Sequence, residues 1–171
     1  MSTTEQLDVK LDKFRLVKHM NSPDDIRAII VLKNGTVAFA TLRTLYIYQK
    51  DNLFKPSLTI SLDNSVYSLI ELPDGSLVAA TKGLLIWTIS EYCDRAKLKG
   101  TIKSDNEIGE VLLLPGDRFA CSFFYNSDLY FFKSTMPYSD TPIHKIETSC
   151  NSKLTYMKER DELQLPTSED D

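Results

Sequence analysis

The chain has 171 residues, with 20 Lys+Arg against 24 Asp+Glu for a net charge of −4; it lacks the basic footprint that phosphate backbones require, so nucleic acid is not the expected partner. Hydrophobic residues make up 42% and charged residues 26%, the balance of a soluble globular chain whose length fits one domain, with or without a tail. The longest apolar runs, such as Ala28 to Leu32 and Val111 to Leu114, fall far short of the ~20 residues of a membrane-spanning helix, and the start, Met-Ser-Thr-Thr-Glu-Gln-Leu-Asp, is not that of a secretory signal.

The first structured element in chain order is Phe14 to Met20, which reads as an outer strand closing an N-terminal segment, 1–25. From Ile26 one grammar recurs three times. The first unit runs Ile26-Arg-Ala-Ile-Ile-Val-Leu-Lys-Asn-Gly35-Thr-Val-Ala-Phe-Ala-Thr41, breaks, and resumes at Leu45-Tyr-Ile-Tyr48. The second runs from Val66 through Pro73-Asp-Gly75 and Leu77-Val-Ala-Ala, breaks at Lys82-Gly83, and ends Leu84-Leu-Ile-Trp87. The third runs from Ile108 through Pro115-Gly-Asp117 and Phe119-Ala-Cys-Ser, breaks over Tyr125 to Asp128, and ends Leu129-Tyr-Phe-Phe132. Ile26, Val66 and Ile108 stand 40 and 42 residues apart.

Each unit is therefore a strand, a tight turn, a strand, a looser turn and a third strand. Asn34-Gly35 and Asp74-Gly75 are hairpin signals because both central residues tolerate positive φ. The middle strands are nearly all small or apolar, as in a strand covered on both faces. A fourth strand follows each unit, at Ser57 to Leu62, Leu98 to Lys103 and Ile143 to Thr148. Four antiparallel strands every ~40–45 residues spell a propeller blade. A β-sandwich also recurs every 8–12 residues, but it would not repeat turn glycine, small-residue strand and terminal aromatic together. The expected fold is all-β: a partial β-propeller of about three four-stranded antiparallel blades over 26–150, plus strands of an incomplete fourth in 151–171. Leu154-Thr-Tyr-Met and Leu163-Gln-Leu would start that fourth blade. The last segment also carries an acidic tail, with three basic against six acidic residues from Asn151 to Asp171. Rings need at least four blades, so either both ends combine into one closing blade, or the chain is a half-propeller, the favoured reading. A half-propeller exposes blade edges and apolar faces and is expected to self-associate.

Val66 to Trp87, with its Pro-Asp-Gly turn and Leu-Leu-Ile-Trp strand end, resembles a WD-repeat blade, and the resemblance extends in degenerate form over Ile26 to Thr148. Tyr48 and Phe132 occupy the Trp position in the other units, and Asp128 matches the structural Asp before the third strand. Thr88 follows Trp87 where the family has Asp, and neither His19 nor His144 falls in the Gly-His position. The resemblance implies a binding scaffold that holds protein partners on its loop face.

Catalytic constellations do not emerge: there is no Gly-x-Ser-x-Gly elbow, phosphate loop or His-Glu-x-x-His, and no cofactor is expected. His19 and His144 each sit beside a Lys and read as solvated. Cys93, Cys121 and Cys150 are an odd set without close spacing, which predicts reduced thiols in a cytoplasmic protein and neither a disulfide framework nor a metal site. Cys121 reads as a core thiol, whereas Cys93 and Cys150 lie in connecting stretches, where exposure is open to them but would not by itself make a thiol reactive. The binding candidates are loop residues. Asp24-Asp25, Asp63-Asn64-Ser65 and Asp105-Asn106-Glu107 each precede the first strand of a unit; they read either as loop-forming residues or as an acidic rim for a partner's basic segment. Arg43, Lys82 and Tyr125 belong to the turns between second and third strands and share that face, with Tyr125 as the contact anchor. The expected partner-binding set is thus Asp25, Arg43, Asp63, Lys82, Asp105 and Tyr125. Trp87, Tyr48 and Phe132 could form an aromatic cage, but their common repeat position predicts packing between blades. Thr167 and Ser168 precede acidic residues, a pattern acidophilic kinases use, in what reads as a solvated end. The function read from these features is a non-enzymatic protein-interaction module; the alternative is a propeller that binds a small ligand as a sensor or an enzyme.

Overall fold

The computed structural model describes residue 22, residues 24–147, and the short strands at 155–157 and 162–164. The strand read at 14–20, His19, Cys150 and the residues after 164 lie outside the described residues. β1 (Ala28–Val31), β2 (Val37–Ala40), β3 (Thr44–Tyr48) and β4 (Leu58–Ser61) pair in that order as one antiparallel sheet. β5 (Ser68–Glu71), β6 (Leu77–Thr81), β7 (Gly83–Ile89) and β8 (Ala96–Lys103) form the second. β9 (Ile108–Leu114), β10 (Arg118–Phe123), β11 (Leu129–Lys133) and β12 (His144–Ile146) form the third. A separate hairpin joins β13 (Thr155–Met157) to β14 (Glu162–Gln164). No strand is shared between repeats, which sets the sandwich aside; each repeat is one blade. Among the described residues there is no helix, and none therefore long and apolar enough to cross a membrane.

The registers of the three blades coincide where the repeat said they should. Val37 pairs with Tyr48, Leu77 with Trp87 and Phe119 with Phe132. The hairpin turns differ from expectation in their chemistry. Only the glycine of each Asn-Gly or Asp-Gly pair has positive φ, +85° at Gly35 and +81° at Gly75. The Gly35 amide closes a turn on the Leu32 carbonyl, and the Gly75 amide does so on Leu72, so a turn with a helical first half is followed by a left-handed glycine. Asn34 and Asp74 serve through their side chains, accepting from the Thr36 and Ser76 amides at 2.9 and 3.0 Å. The pair of left-handed residues occurs instead at Gly116 and Asp117, φ +73° and +55°.

The blades pack in series, with β5 lying between β1 and β9. Leu32, Ala38, Ala40, Leu45 and Ile47 of the first blade meet Val66, Leu69, Leu77, Ala79 and Cys93 of the second. The other face of the second blade, with Val78, Ala80, Leu84, Ile86 and Ile102, meets Ile108, Val111, Phe119, Cys121, Phe123 and Phe132 of the third. Alternation along a strand sends successive side chains to opposite neighbours, which is why β6 is buried at every position. Alanine recurs in the middle strands where the sheets crowd.

The outer face of the first blade differs from the two inter-blade seams. Ile29, Leu69 and Val111 occupy equivalent positions, opposite Phe39, Ala79 and Cys121. Leu69 and Val111 are 8% and 1% exposed against the preceding blade, but Ile29 and its neighbour Val31 are 64% and 65% exposed. Beside them Phe39 stacks with Tyr46 and Tyr48 at centroid distances of 5.0 and 5.5 Å. The first blade thus presents an apolar inter-blade face that no described blade covers.

One side chain departs from expectation: Trp87 is half-buried where Tyr48 and Phe132 are buried. The β7–β8 register shifts between Ile86 and Trp87, so this ring stands at a bulge that the other blades lack. Its Nε1 is nevertheless buried with no hydrogen-bond partner. Cys93, in a connecting stretch where exposure was open to it, is fully buried with its Sγ 3.5 Å from Thr36 Oγ1. Its left-handed φ of +55° turns it inward at the seam of the first two blades. Cys121 is buried as expected, and burial pushes its thiol pKa well up.

Candidate functional site: the loop face

Strand polarity gathers the β2–β3, β6–β7 and β10–β11 turns and the β4–β5 and β8–β9 connections at one end of the sheets. All six sequence-derived candidates stand there, each of them exposed, and none of the charged five makes an ion pair among the described residues. They do not form a single cluster. Arg43 and Asp63 are tied through the backbone: Leu62 N–H donates to the Arg43 carbonyl at 2.8 Å and Val66 N–H to the Leu42 carbonyl at 3.2 Å. Asp25 lies just before β1. Lys82 caps the tight β6–β7 turn, where Gly83 has φ +122° and Thr81 Oγ1 donates to the Gly83 carbonyl at 3.3 Å. Asp105 faces sideways, into a cavity between the second and third blades.

Tyr125 is 84% exposed and belongs to a ladder of rings. Its ring lies 6.4 Å from Phe124, and Phe124 meets Tyr67 edge-on at 4.4 Å. The Tyr67 hydroxyl donates to Glu107 Oε2 at 3.2 Å, and the Phe124 amide donates to the Glu107 carbonyl, also at 3.2 Å. Glu107 therefore anchors the base of the ladder on the connection into the third blade. Phe124 reaches this position because the β9–β10 register shifts between Ser122 and Phe123. Its ring then rests over Gly109. Sequence reasoning missed Tyr67 and Phe124. The signal was the doublet Phe123-Phe124 at a strand end, which alternation must send to opposite sides.

The opposite end of the sheets carries a second polar group. Lys99 of β8 pairs with Asp74 of the β5–β6 turn, and Tyr138 lies beside them. The Lys99 hydrogen bond, helped by the Ser76 amide, holds the Asp74 carboxyl down at about 2, and the same pairing raises Lys99. These groups satisfy one another and border a cavity of about 240 Å³ lined by Pro73, Met136 and Tyr138. Near the third-blade loop, Lys145 pairs with Asp128 at 2.7 Å. Among the described residues no three His, Cys, Asp or Glu side chains come together as a metal site. His144 is exposed, its ring 5.7 Å from Phe131.

No protein family matches the chain, and a search of curated protein sequences gives no match either. Solved structures do match in fold. A protein of unknown function from Bacteroides caccae is 10% identical with a TM-score of 0.61, over 83% of this chain and 53% of that one. The β-propeller domain of Cps50 (Swd1) from Myceliophteria thermophila is 12% identical with a TM-score of 0.61, over 75% and 45%. BBS1N in complex with ARL6DN is 18% identical with a TM-score of 0.57, over 77% and 43%. The chain thus has a β-propeller architecture and spans about half the length of the structures it matches.

Proposed function

We propose that this chain is a non-enzymatic protein-interaction module, a partial propeller of degenerate WD type acting in the cytoplasm. In this reading the loop face takes a partner protein, with Tyr125, Phe124 and Tyr67 as anchor and the carboxylates of Asp25, Asp63 and Asp105 favouring a partner's basic segment. The observation that carries it is the ring ladder: Tyr125 and Phe124 stand 84% and 44% exposed on a rigid frame, and aromatic side chains so placed are the residues that dominate protein interfaces. A matched structure, BBS1N, was solved in complex with ARL6DN, which fits a partner-binding role for such folds. The five charged candidates make no ion pair with one another among the described residues, which favours a contact surface over a reacting centre.

Partners captured by the intact chain should be depleted about thirtyfold by Tyr125→Ala with Phe124→Ala, as expected for loss of roughly 2 kcal/mol at a hot spot. Quantitative mass spectrometry on both baits reads this, with matched unfolding curves as the control. Undiminished capture of the same proteins by the double variant would refute the loop face as the binding surface.

Self-association belongs to the same proposal. The face bearing Ile29 and Val31 has the register of an inter-blade surface, and apolar area is worth ~25 cal/mol per Å² when covered. A second copy of the chain could supply a blade there and continue the ring. Light scattering at micromolar concentration should show species larger than 19.5 kDa, reverting towards monomer when Ile29→Lys and Val31→Lys are combined. A monodisperse monomer that unfolds cooperatively would eliminate this part of the reading.

A further inference from the structure

The β11–β12 connection, residues 134–143, does not stay with its own blade. Ser134 N–H donates to the Asp117 carbonyl at 2.8 Å, and the strap then crosses to the outer strand of the second blade. There the Tyr138 ring lies so close to Gly100 of β8 that a Cβ would fall 2.3 Å from it. Further on, Asp140 Oδ1 accepts from the Lys103 amide at 2.6 Å. Between the strap, the end of β8 and the face of β11 lies a cavity of about 450 Å³, lined among others by Lys103, Asp105, Asn106, Tyr130, Phe132 and Asp140. That volume lies within the range of ~300–1,000 Å³ typical of ligand pockets.

The lining combines two aromatic rings with two carboxylates. Asp105 makes no ion pair among the described residues, and Asp140 uses one oxygen on a backbone amide. Lys103, on the same rim, pairs with neither carboxylate. Lys145 is the cross-strand neighbour of Tyr130. Its Nζ lies 5.7 Å from the Tyr130 ring centre while bound to Asp128 at 2.7 Å and Glu147 at 3.5 Å. The molecule itself thus already sets a cation over this ring, the geometry in which an aromatic face attracts positive charge.

We infer that this inter-blade cavity is a second binding site, which takes an arginine side chain from a basic segment of a partner protein. A guanidinium is planar, so it can lie on the half-buried Tyr130 ring, with the buried Phe132 also in the lining, while its N–H groups fork towards the Asp105 and Asp140 carboxylates. An ammonium can sit over a ring and pair with carboxylates, as Lys145 shows. It lacks the flat, fixed fork that lets one group lie on the ring and reach two separate carboxylates. The site shares Asp105 with the loop-face reading and deepens it, but it fails separately because the anchor Tyr125 is not part of the cavity.

The test is an NMR titration of the full ¹⁵N-labelled chain with acetyl-Gly-Arg-Gly-amide, and with the twin in which neutral citrulline replaces arginine. Saturable shifts are expected at the amides of Lys103, Asp105, Asn106 and Asp140, with the citrulline peptide about tenfold weaker, the scale of one lost charge pair. Asp105→Asn combined with Asp140→Asn should weaken arginine binding by a similar factor. The asparagine amide oxygen at 140 can still accept the Lys103 amide, so the fold is kept, and Asp105→Asn alone provides a milder second variant. Tyr125→Ala should leave the titration unchanged. Equal response to citrulline, indifference to the Asp variants, sensitivity to Tyr125→Ala or no saturable shift would each overturn the assignment.

Discussion

Replacing Phe119 with alanine is expected to cost about 3–5 kcal/mol of stability, the usual range for a buried aromatic whose neighbours cannot close the gap. Phe119 is fully buried on β10, paired with Leu113 and Phe132 across its own sheet. It belongs to the cluster that joins the third blade to Val78, Leu84 and Ile86 of the second. Wedged between its own sheet and the second blade, the ring has neighbours with little freedom to relax, so most of its volume would remain as a cavity. A domain of this size has about 5–15 kcal/mol in all, and the loss would take a large share of it. Urea denaturation of parent and variant measures the difference. A cost under about 1 kcal/mol would mean that the second and third blades do not pack through this residue.

A comparable loss is expected from Gly83→Ala, for a backbone reason. Gly83 has φ +122°, and a Cβ there would come within 2.4 Å of the Ile102 carbonyl oxygen on the paired strand β8. Because the obstructing atom is backbone, relief requires parting β7 from β8 or moving the turn, so strain of roughly 3 kcal/mol or more is expected. Gly75→Ala is the matched control. Its φ is +81°, yet a Cβ there meets nothing within 4 Å, so only the left-handed penalty of about 1–2 kcal/mol applies. Thermal or chemical unfolding of the two variants ranks them directly. If Gly75→Ala proved the more damaging, the close approach at Gly83 would be refuted. The turn that Gly83 permits is also the one that holds Lys82 on the loop face, so structure and candidate surface depend on the same residue.

The candidate surface was only partly readable in advance. Tyr125 stands where its turn was expected, because a loop between two recognisable strands has its end of the sheet assigned by strand polarity. Its supports, Tyr67 and Phe124, come from different blades; the Phe123-Phe124 doublet marks one ring as leaving the core face, but alternation within a strand does not say that it meets Tyr67 of another blade. Asp105 shows the same limit: its loop was foreseen, but its cavity is walled by Asp140 and Pro142 of a strap whose residues do not follow the repeat. Periodicity says nothing about a segment that does not recur.

What the amino-acid order determined by itself is local and repetitive: three blades, their strand boundaries to within two or three residues, and the shared register of Tyr48, Trp87 and Phe132. These follow from side-chain alternation and turn chemistry, both set by neighbours in the chain. Which faces are covered was decided only in three dimensions. Ile29, Leu69 and Val111 are indistinguishable as apolar residues in one repeat position, yet only the last two have a blade against them. Likewise Trp87 shares its repeat position with Phe132 but stands at a bulge, and Cys93, read as a loop thiol, is buried by a left-handed turn at the seam of the first two blades. Burial is a relation between segments distant in sequence, and it is fixed by how successive twisted sheets meet.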